Sequence, residues 1–295
     1  MKRIPHKICV CMLALLMLLA LPGLSGCGKK DSFDSQKAIS VVAREDGSGT
    51  KSAFMEIIGL KGKADVSGVI IATGTAAMLA EVRSNPLAIG YESLGYVTSD
   101  VKVLKVDGVS ATVENIKNGS YKIARPLNVV YQPKNGEKAL NAAFLAFLQS
   151  DTAQSIIKEN GYVSLIDGAG SYTVDASLAG TLDISGSTSL QPLMIKLAAE
   201  FERIQKNVTV TVSGGGSGTG YKNAAEGVSD FGMISETFKE EKAPGCTYYE
   251  VAKDGIALIV NTANPQESIS LTALKNIYNS EAGAEAVKTW ADAGK

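Results

Sequence analysis

Short strands and helices alternate along most of this chain, and this alternation limits the fold more than any other feature of the sequence. The β-branched runs at 39–43 and 208–212 have the composition of strands, whereas residues 193–204 repeat apolar side chains at helical spacing. Strands that alternate with helices predict an α/β architecture. The small and polar residues of 166–180 interrupt the pattern, which restarts with a strand at 181–185, so they predict a linker or a long surface loop.

Composition narrows the classes of partner and of chemistry. Hydrophobic residues make up 45% and charged residues 20% of the 295, an ordinary balance for a globular protein. The net charge is −1, so there is no basic excess to neutralise a nucleic-acid backbone, and we expect no nucleic-acid partner. The single histidine, His6, lies in a segment predicted to be removed, which excludes Ser-His-Asp catalysis and histidine-ligated zinc from the mature chain. We expect neither a cofactor nor a bound metal.

The first 26 residues have the features of a bacterial lipoprotein signal peptide. Three basic residues precede an uncharged apolar run at 8–21, which is shorter than the roughly 20 residues that a membrane span needs. The tetrapeptide Leu-Ser-Gly-Cys at 24–27 resembles a lipobox, whose cysteine is lipidated and becomes the first residue of the mature protein. Cys27 is therefore predicted to carry lipid; the alternative is a plain signal peptide with an incidental cysteine.

Removal of residues 1–26 leaves 26 basic and 30 acidic side chains, a net charge of −4. Cys246 then remains as the lone unlipidated thiol, which can form neither a disulfide framework nor a metal cluster. The segment 27–37 is polar and without periodicity beyond its cysteine, so it predicts a flexible tether between the lipid and the folded part.

Three turns between a predicted strand and a predicted helix share one design. The segments 44–50, 186–192 and 213–220 are all rich in glycine, serine and threonine. A helix N-terminus offers unpaired N–H groups and a positive dipole end, glycine allows close approach, and hydroxyls add donors. One such turn alone favours plain helix capping. Three in one chain favour a site for a phosphate-like oxyanion.

Enzymatic interpretations of these turns fail in detail. The segment 215–220 has the span of a Walker A loop, but Tyr221 stands where its lysine belongs. No Gly-x-Gly-x-x-Gly occurs within 213–220, and a nucleophile elbow around Ser217 is excluded because Thr219 replaces its last glycine.

These segments resemble the phosphate-binding proteins of ABC phosphate importers, the PstS type. Three motifs resemble the first half of that family: 186–193, 214–220 and 229–232. Three others resemble its second half: 44–50, 88–91 and 125–127. The resemblance covers nearly all of 38–295.

The halves stand in the reverse of the family's order. The family's second half occupies 38–165 and its first half 181–295, so we interpret the chain as a circular permutation in which 166–180 joins the old termini. The rival interpretation is a fragment of a tandem chain.

The resemblance implies a two-lobed periplasmic-binding-protein fold of type II, a venus flytrap that closes on its ligand. In the permuted order one lobe would comprise 38–100 plus 264–295, and the other 101–263.

The resemblance also implies a set of phosphate-binding residues that come from both lobes. They are Thr188, Ser189, Ser217 and Asp230 from one lobe and Arg44, Ser48, Gly49 and Thr50 from the other. Arg44 would supply positive charge, with Asp46 to orient it, while the hydroxyls and backbone groups donate. Plain alternatives are a surface role for Asp230 and an ordinary ion pair of Arg44 with Glu45 or Asp46. Glu236 stands where many relatives have arginine, which puts an inter-lobe contact there in doubt.

The implied role of Asp230 is to accept a hydrogen bond from the protonated oxygen of hydrogen phosphate. Sulfate carries no proton near neutral pH and would face the carboxylate charge to charge. Replacing Asp230 with asparagine is then expected to weaken discrimination between phosphate and sulfate.

The resulting expectation is a binding protein without enzymatic activity, lipid-anchored on the extracytoplasmic face of the membrane. It would capture inorganic phosphate and deliver it to the membrane permease of an ABC importer. The alternatives are a binder of another tetrahedral oxyanion, a sensing or adhesion lipoprotein, and a phosphate-ester enzyme on the same fold.

Overall fold

The computed structural model describes residues 33–294, so the predicted signal peptide at 1–26 and the lipidation of Cys27 lie outside the described residues. Strands and helices alternate along the described chain, which confirms the predicted α/β class. No helix in this part of the chain is both long and apolar enough to cross a membrane.

The strands of the described chain join in one curled sheet. They are β1 (Ser40–Arg44), β2 (Ile70–Ala72), β3 (Ala88–Ser93), β4 (Val101–Val106), β5 (Ala124–Tyr131), β6 (Ala179–Gly186), β7 (Asn207–Ser213), β8 (Phe231–Ile234), β9 (Thr247–Asn261) and β10 (Ser268–Ile269). The order across the sheet is β2-β1-β3-β9-β5-β8-β6-β7, with β4 paired to β9 and β10 paired to β4. Strand β1 runs parallel to β2 and β3, and β6 runs parallel to β7 and β8.

Helices fill the connections between strands. They are α1 (Gly49–Ile57), α2 (Thr75–Ser84), α3 (Val113–Lys117), α4 (Pro133–Gly136), α5 (Ala139–Leu148), α6 (Asp151–Glu159), α7 (Gln191–Ile204), α8 (Ser217–Glu226), α9 (Leu271–Tyr278) and α10 (Trp290–Ala293). Three of them, α1, α7 and α8, follow the glycine-rich turns, as the sequence predicts. Serine side chains cap the N-termini of α1, α6 and α9. The capping residues Ser48, Ser150 and Ser270 each accept a hydrogen bond from the backbone N–H of the residue three positions later.

Two main hydrophobic cores lie at opposite ends of the paired strands β5 and β9. In the first core the rings of Phe54 and Tyr91 stack with centroids 4.0 Å apart, and Tyr278 meets both edge to face. In the second, Phe144 meets Phe201 edge to face at 5.1 Å. The two strands therefore run from one core into the other.

The passage from one core to the other occurs within β9, between Ala252 in the second core and Ile256 in the first. Strand β4 belongs to the first core because it pairs with the first-core part of β9. This passage does not coincide with the boundaries expected after residues 100 and 263. The division into lobes stays a prediction. If each lobe were built around one of the two cores, the boundary between the lobes would lie within β5 and β9.

Two predicted elements differ from the structure. The apolar run at 256–261 predicts a strand, but β9 begins well before it, at Thr247, because β9 pairs with the whole length of β5. The residue pattern at 284–291 predicts a last helix, and this prediction is wrong: a short 3-10 turn is followed by extended backbone, and α10 begins only after Thr289, which caps it.

The beginning and the end of the described chain lie together. Ala38 forms an isolated antiparallel bridge with Thr289, and the Phe33 ring lies 6.3 Å from the ring of Trp290. Residues 33–37, which composition assigns to a flexible tether, therefore pack against the first core.

Helix α8 lies directly on the sheet because glycines line the contact. Gly220 of α8 faces Gly232 of β8, and a Cβ on Gly232 would overlap the carbonyl oxygen of Gly220. This close approach holds the N-terminus of α8, which begins at Ser217, above the end of β6.

We expect Gly232→Ala to lower the free energy of unfolding by about 1–3 kcal/mol, because the added methyl group forces α8 away from β8. Gly170→Ala is the control, since a Cβ there meets nothing within 4 Å, and its effect should stay within about 0.5 kcal/mol. Urea denaturation followed by circular dichroism measures both. Equal stability of the two variants would contradict the close packing of α8.

Candidate functional site

The three glycine-rich turns meet at one place. The backbone N–H of Gly218 donates to the carbonyl of Gly47 at 2.9 Å, which joins the third turn to the first. The hydroxyls of Thr50 and Ser189 lie 2.8 Å apart, which joins the first turn to the second. Elements of the first core and elements of the second core thus contribute to one buried polar cluster, here called the turn cluster.

Each turn leads into the N-terminus of a helix, so three positive dipole ends are brought together. Ser48 is the N-cap of α1 and accepts from the N–H of Lys51 at 3.3 Å. Ser187 accepts from the N–H groups of Ser189 and Leu190 just before α7. The convergence of three such termini creates an environment that favours an anion.

Ser217 lies where α8 meets α1. Its hydroxyl accepts from the N–H of Ser235 at 3.0 Å and is 3.3 Å from the Ser235 hydroxyl. Gly49 approaches so closely that a Cβ on it would overlap the Ser217 hydroxyl. A glycine is therefore required at position 49 for the two helix termini to touch.

Arg44 is fully buried at the end of β1, between two carboxylates. Its guanidinium forms a bidentate pair with Glu45 at 2.9 and 3.0 Å and a further ion pair with Glu92 at 3.2 Å. Burial favours the neutral guanidinium, but the hydrogen bonds to Glu45 and the charge of Glu92 prevail and raise the pKa of Arg44 above its ordinary value. The guanidinium also donates to the hydroxyl of Thr188 at 3.0 Å and to that of Thr75 at 3.4 Å.

Asp46 does not orient Arg44, contrary to the expectation. Its side chain is 99% exposed and accepts from Lys51 at 2.8 Å, which lowers the pKa of Asp46. Glu45 and Glu92 hold the guanidinium instead, because the turn directs the side chain of residue 46 to solvent.

Asp230 lies apart from the turn cluster. Its carboxylate accepts from the N–H of Asp183 at 3.1 Å and from the amide of Asn141 at 3.2 Å. It precedes β8, whereas Ser235 follows β8 at the end near the cluster, and five residues of strand span about 16 Å. The sequence-based placement of Asp230 in the pocket is therefore not supported by this geometry.

Arg125 enters the cluster from the crossing of the two core-linking strands. It stands directly opposite Asp254 in the β5–β9 register and pairs with its carboxylate at 3.0 Å. The same guanidinium donates to the hydroxyl of Thr50 at 2.6 Å and to the carbonyl of Ser235 at 3.1 Å. Arg125 belonged to a motif that carried the family resemblance, but the sequence did not indicate that its side chain reaches the turns.

Glu92 is the second residue that sequence reasoning missed. It lies on β3 with no exposed surface, and its Oε1 accepts from the hydroxyl of Ser189 at 3.2 Å and from the N–H of Ser93 at 2.8 Å. A glutamate in an otherwise apolar strand was the signal that could have indicated it.

The structure brings together most of the residues expected at the site. They are Thr188, Ser189, Ser217, Arg44, Ser48, Gly49 and Thr50. Hydroxyl donors, helix termini and two guanidinium groups suit them to hold an oxyanion by hydrogen bonds. In residues 33–294 no group of three histidine, cysteine or carboxylate side chains is placed to hold a metal ion.

A second polar contact, here called the clasp, joins the two cores beside the cluster. The hydroxyl of Ser52 on α1 donates to Glu236 at 2.5 Å, and Lys239 pairs with Glu236 at 3.0 Å and with Glu56 of α1 at 3.2 Å. Burial alone would lower the pKa of Lys239, but the two carboxylates raise it. Glu236 therefore makes an inter-core contact of its own at the position where an arginine was expected from relatives.

Comparison with known proteins identifies the family. A family model described as a PBP superfamily domain matches residues 30–152 and 173–295. The phosphate-binding protein PstS 2 of Streptococcus agalactiae serotype V is 36% identical over 296 residues, which cover 96% of this chain and 98% of that protein.

A solved structure extends the likeness to the fold. The phosphate-binding protein of a phosphate ABC transporter from Streptococcus pneumoniae TIGR4 superposes with a TM-score of 0.69 at 33% identity, covering 87% of this chain and 99% of that chain. The PstS protein of Bacillus subtilis is 34% identical over a match that covers only 39% of this chain and 38% of that protein. The chain therefore belongs to the PBP superfamily and, within it, to the PstS phosphate-binding proteins.

Proposed function

We propose that this chain captures inorganic phosphate on the extracytoplasmic side of the membrane and delivers it to an ABC importer. The observation that carries the proposal is the convergence of three helix N-termini with the guanidinium groups of Arg44 and Arg125 on one hydroxyl-lined cluster. The relatives, which are named as phosphate-binding proteins, support the same ligand.

Capture would use residues from both cores at once. Arg44, Ser48, Gly49 and Thr50 approach from elements of the first core. Thr188, Ser189 and Ser217 approach from elements of the second. Because a ligand that bonds both sets stabilises their approach, binding would favour the closed arrangement of the lobes.

The cluster does not favour enzymatic action on phosphate esters. The hydroxyls of Thr50 and Thr188 accept from guanidinium groups, which remain protonated and cannot serve as general bases. We propose a binding role without catalysis.

A lipid on Cys27 would anchor the protein to the membrane beside its permease. The support for this part of the proposal is the lipobox-like tetrapeptide that follows the apolar run. Mass spectrometry of the mature protein tests it, since a lipidated N-terminal cysteine adds a defined mass and an unprocessed or plain N-terminus does not.

We also propose that the two halves are circularly permuted relative to family members such as the PstS protein of Bacillus subtilis. The contact of Ala38 with Thr289 supports this, because a chain closed at that point needs its two ends together. When two proteins carry the same halves in opposite order, an alignment that keeps the chain order can match only one of the halves. The match to the Bacillus subtilis protein, which covers 39% of this chain, is consistent with such an exchange. The end-to-end match to PstS 2 indicates that this relative shares the order.

Thr50→Val tests the assignment of the cluster. We expect calorimetry to show one phosphate bound per chain in the unaltered protein. The variant should bind roughly tenfold to a hundredfold more weakly, because a hydrogen bond to a charged ligand is lost.

The matched control is Thr219→Val, whose hydroxyl bonds the carbonyl of Gly215 at 2.7 Å within the same region. Its phosphate affinity should stay within about threefold. Equal weakening in both variants, or no phosphate binding by the folded unaltered chain, would refute the site assignment.

Lys239→Ala tests the clasp. Removing this cation breaks the link to Glu56 on α1, so the closed form should open faster and release phosphate about two- to fivefold faster, as is usual for partly exposed ion pairs. The difference should shrink at high salt because exposed ion pairs are screened.

Stopped-flow displacement of bound phosphate measures the release rate. Lys63→Ala serves as the control, because Lys63 pairs with Glu281 on the first-core side only. A release rate that changes equally in the two variants would show that the clasp does not hold the lobes together.

A further inference from the structure

Strand β9 changes its neighbour on one edge where it passes between the two cores. Strand β3 pairs with this edge as far as Ser93, which stands opposite Ile256. Farther along the same edge Val163 takes over, and its N–H and carbonyl both bond Lys253, at 2.9 and 3.1 Å. Asp254 lies between these two pairings, so the ends of two different segments flank its side chain.

Three polar side chains meet at this break in the pairing. Asp254 is two positions from Ile256, so it lies on the same face of the sheet as Ser93 in the neighbouring strand. Tyr162 precedes Val163 and therefore stands next to Asp254 when the antiparallel register is continued. Ser93, Tyr162 and Asp254 are all buried.

Each of the three has one polar atom without a direct hydrogen bond among residues 33–294. These atoms are Ser93 Oγ, Tyr162 Oη and Asp254 Oδ1. Burial raises the pKa of both Asp254 and Tyr162, and the nearby Ser93 hydroxyl lowers each pKa, so the three groups lie close enough to interact. A buried polar group without a partner destabilises a fold, and three at one place indicate a partner that they share.

A water molecule fits this set of groups. Diagonal neighbours in adjacent antiparallel strands are about 7–8 Å apart, and side chains stand nearly perpendicular to the sheet, so short ones such as Ser93 and Asp254 do not readily meet. A buried water makes about three hydrogen bonds to groups that are otherwise unpaired. It can donate to the carboxylate, accept from the Tyr162 hydroxyl and bond Ser93 in either sense. A metal ion is disfavoured, because the guanidinium of Arg125 already lies on the same carboxylate.

We infer that Ser93, Tyr162 and Asp254 bind one buried water molecule, here called the bridging water. It holds the Asp254 carboxylate in the orientation in which its other oxygen accepts two hydrogen bonds from Arg125, at 3.0 and 3.3 Å.

The bridging water would connect groups from both cores beside the turn cluster. Tyr162 belongs to the second core, whereas Ser93 ends β3, whose Tyr91 lies in the first. Arg125 donates to the hydroxyl of Thr50 in the turn cluster, so a shift of the carboxylate that orients Arg125 would displace that donor. The inference goes beyond the proposed function, and only its effect on phosphate depends on that function.

Tyr162→Phe tests the water site through stability, with Tyr121→Phe as the reference. The Tyr121 hydroxyl is also buried but donates directly to the carbonyl of Ile256 at 2.8 Å. We expect both variants to lower the midpoint of urea denaturation by about 0.3–1 M, because each loses a hydrogen bond in a buried site. A midpoint that does not fall in Tyr162→Phe would overturn the inference, since removal of a hydroxyl without a partner does not destabilise a protein.

A crystal structure of the unaltered chain tests the ligand itself and needs no variant. At a resolution that shows ordered water, we expect a density peak within about 3.2 Å of the three unpaired oxygens. Direct hydrogen bonds among Ser93, Tyr162 and Asp254, with no such peak, would show that the site holds no water.

Calorimetric titration with inorganic phosphate tests the effect on Arg125. Tyr162→Phe should bind phosphate at least about threefold more weakly. Tyr121→Phe should bind it as the unaltered chain does, although it loses similar stability. Equal affinities in the two variants would overturn the positioning of Arg125 by the water. If the folded unaltered chain bound no phosphate, the proposed function would be refuted, and the urea and crystal measurements would still decide whether the water is there.

Discussion

The ion pair between Arg125 and Asp254 lies where β5 and β9 cross from one core to the other. Both side chains are buried, and burial raises the pKa of Asp254 although Arg125 opposes the shift. Such a pair adds little net stability, because desolvation of two charges offsets their attraction. The pair instead fixes the orientation of Arg125. The N–H groups of Arg125 that do not bond Asp254 donate to the hydroxyl of Thr50 on the first-core side and to the carbonyl of Ser235 on the second-core side. The strands that link the cores thus also orient the groups that meet between them.

Close backbone approach is the second requirement of the site. Helix dipoles act only within about one turn of a helix end, so three N-termini must nearly touch to act on one ligand. Side chains at the contacts would keep them apart. Gly49 therefore meets Ser217 directly, and Gly220 lies on Gly232, where α8 is pressed on the sheet. The serine and glycine content of the turns follows from packing as much as from hydrogen bonding.

Local signals account for what the sequence could predict. The turns at 44–50, 186–192 and 213–220 were identified because strand, glycine and helix follow one another within a few residues, and each leads into a helix in the structure. Asp230 and Glu92 show the limit of such signals. Asp230 stands beside a motif in the chain but at the wrong end of β8, while Glu92 is remote in sequence from both Arg44 and Ser189 and meets them only through the sheet order. The passage of β9 between two cores was likewise invisible, because the residue pattern of one strand does not show which core each buried side chain joins.

The charged side chains at the site carry no positive excess. Arg44 and Arg125 are matched by Glu92 and Asp254, with Glu45 in addition, in a chain whose predicted mature charge is negative. Attraction of an anion then cannot depend on excess cationic charge. It must depend on oriented backbone dipoles and hydroxyl groups, which interact strongly with charge where water is excluded. A site of that kind discriminates by the match of each donor and acceptor to the ligand. A positively charged pocket, by contrast, would attract any anion of suitable size.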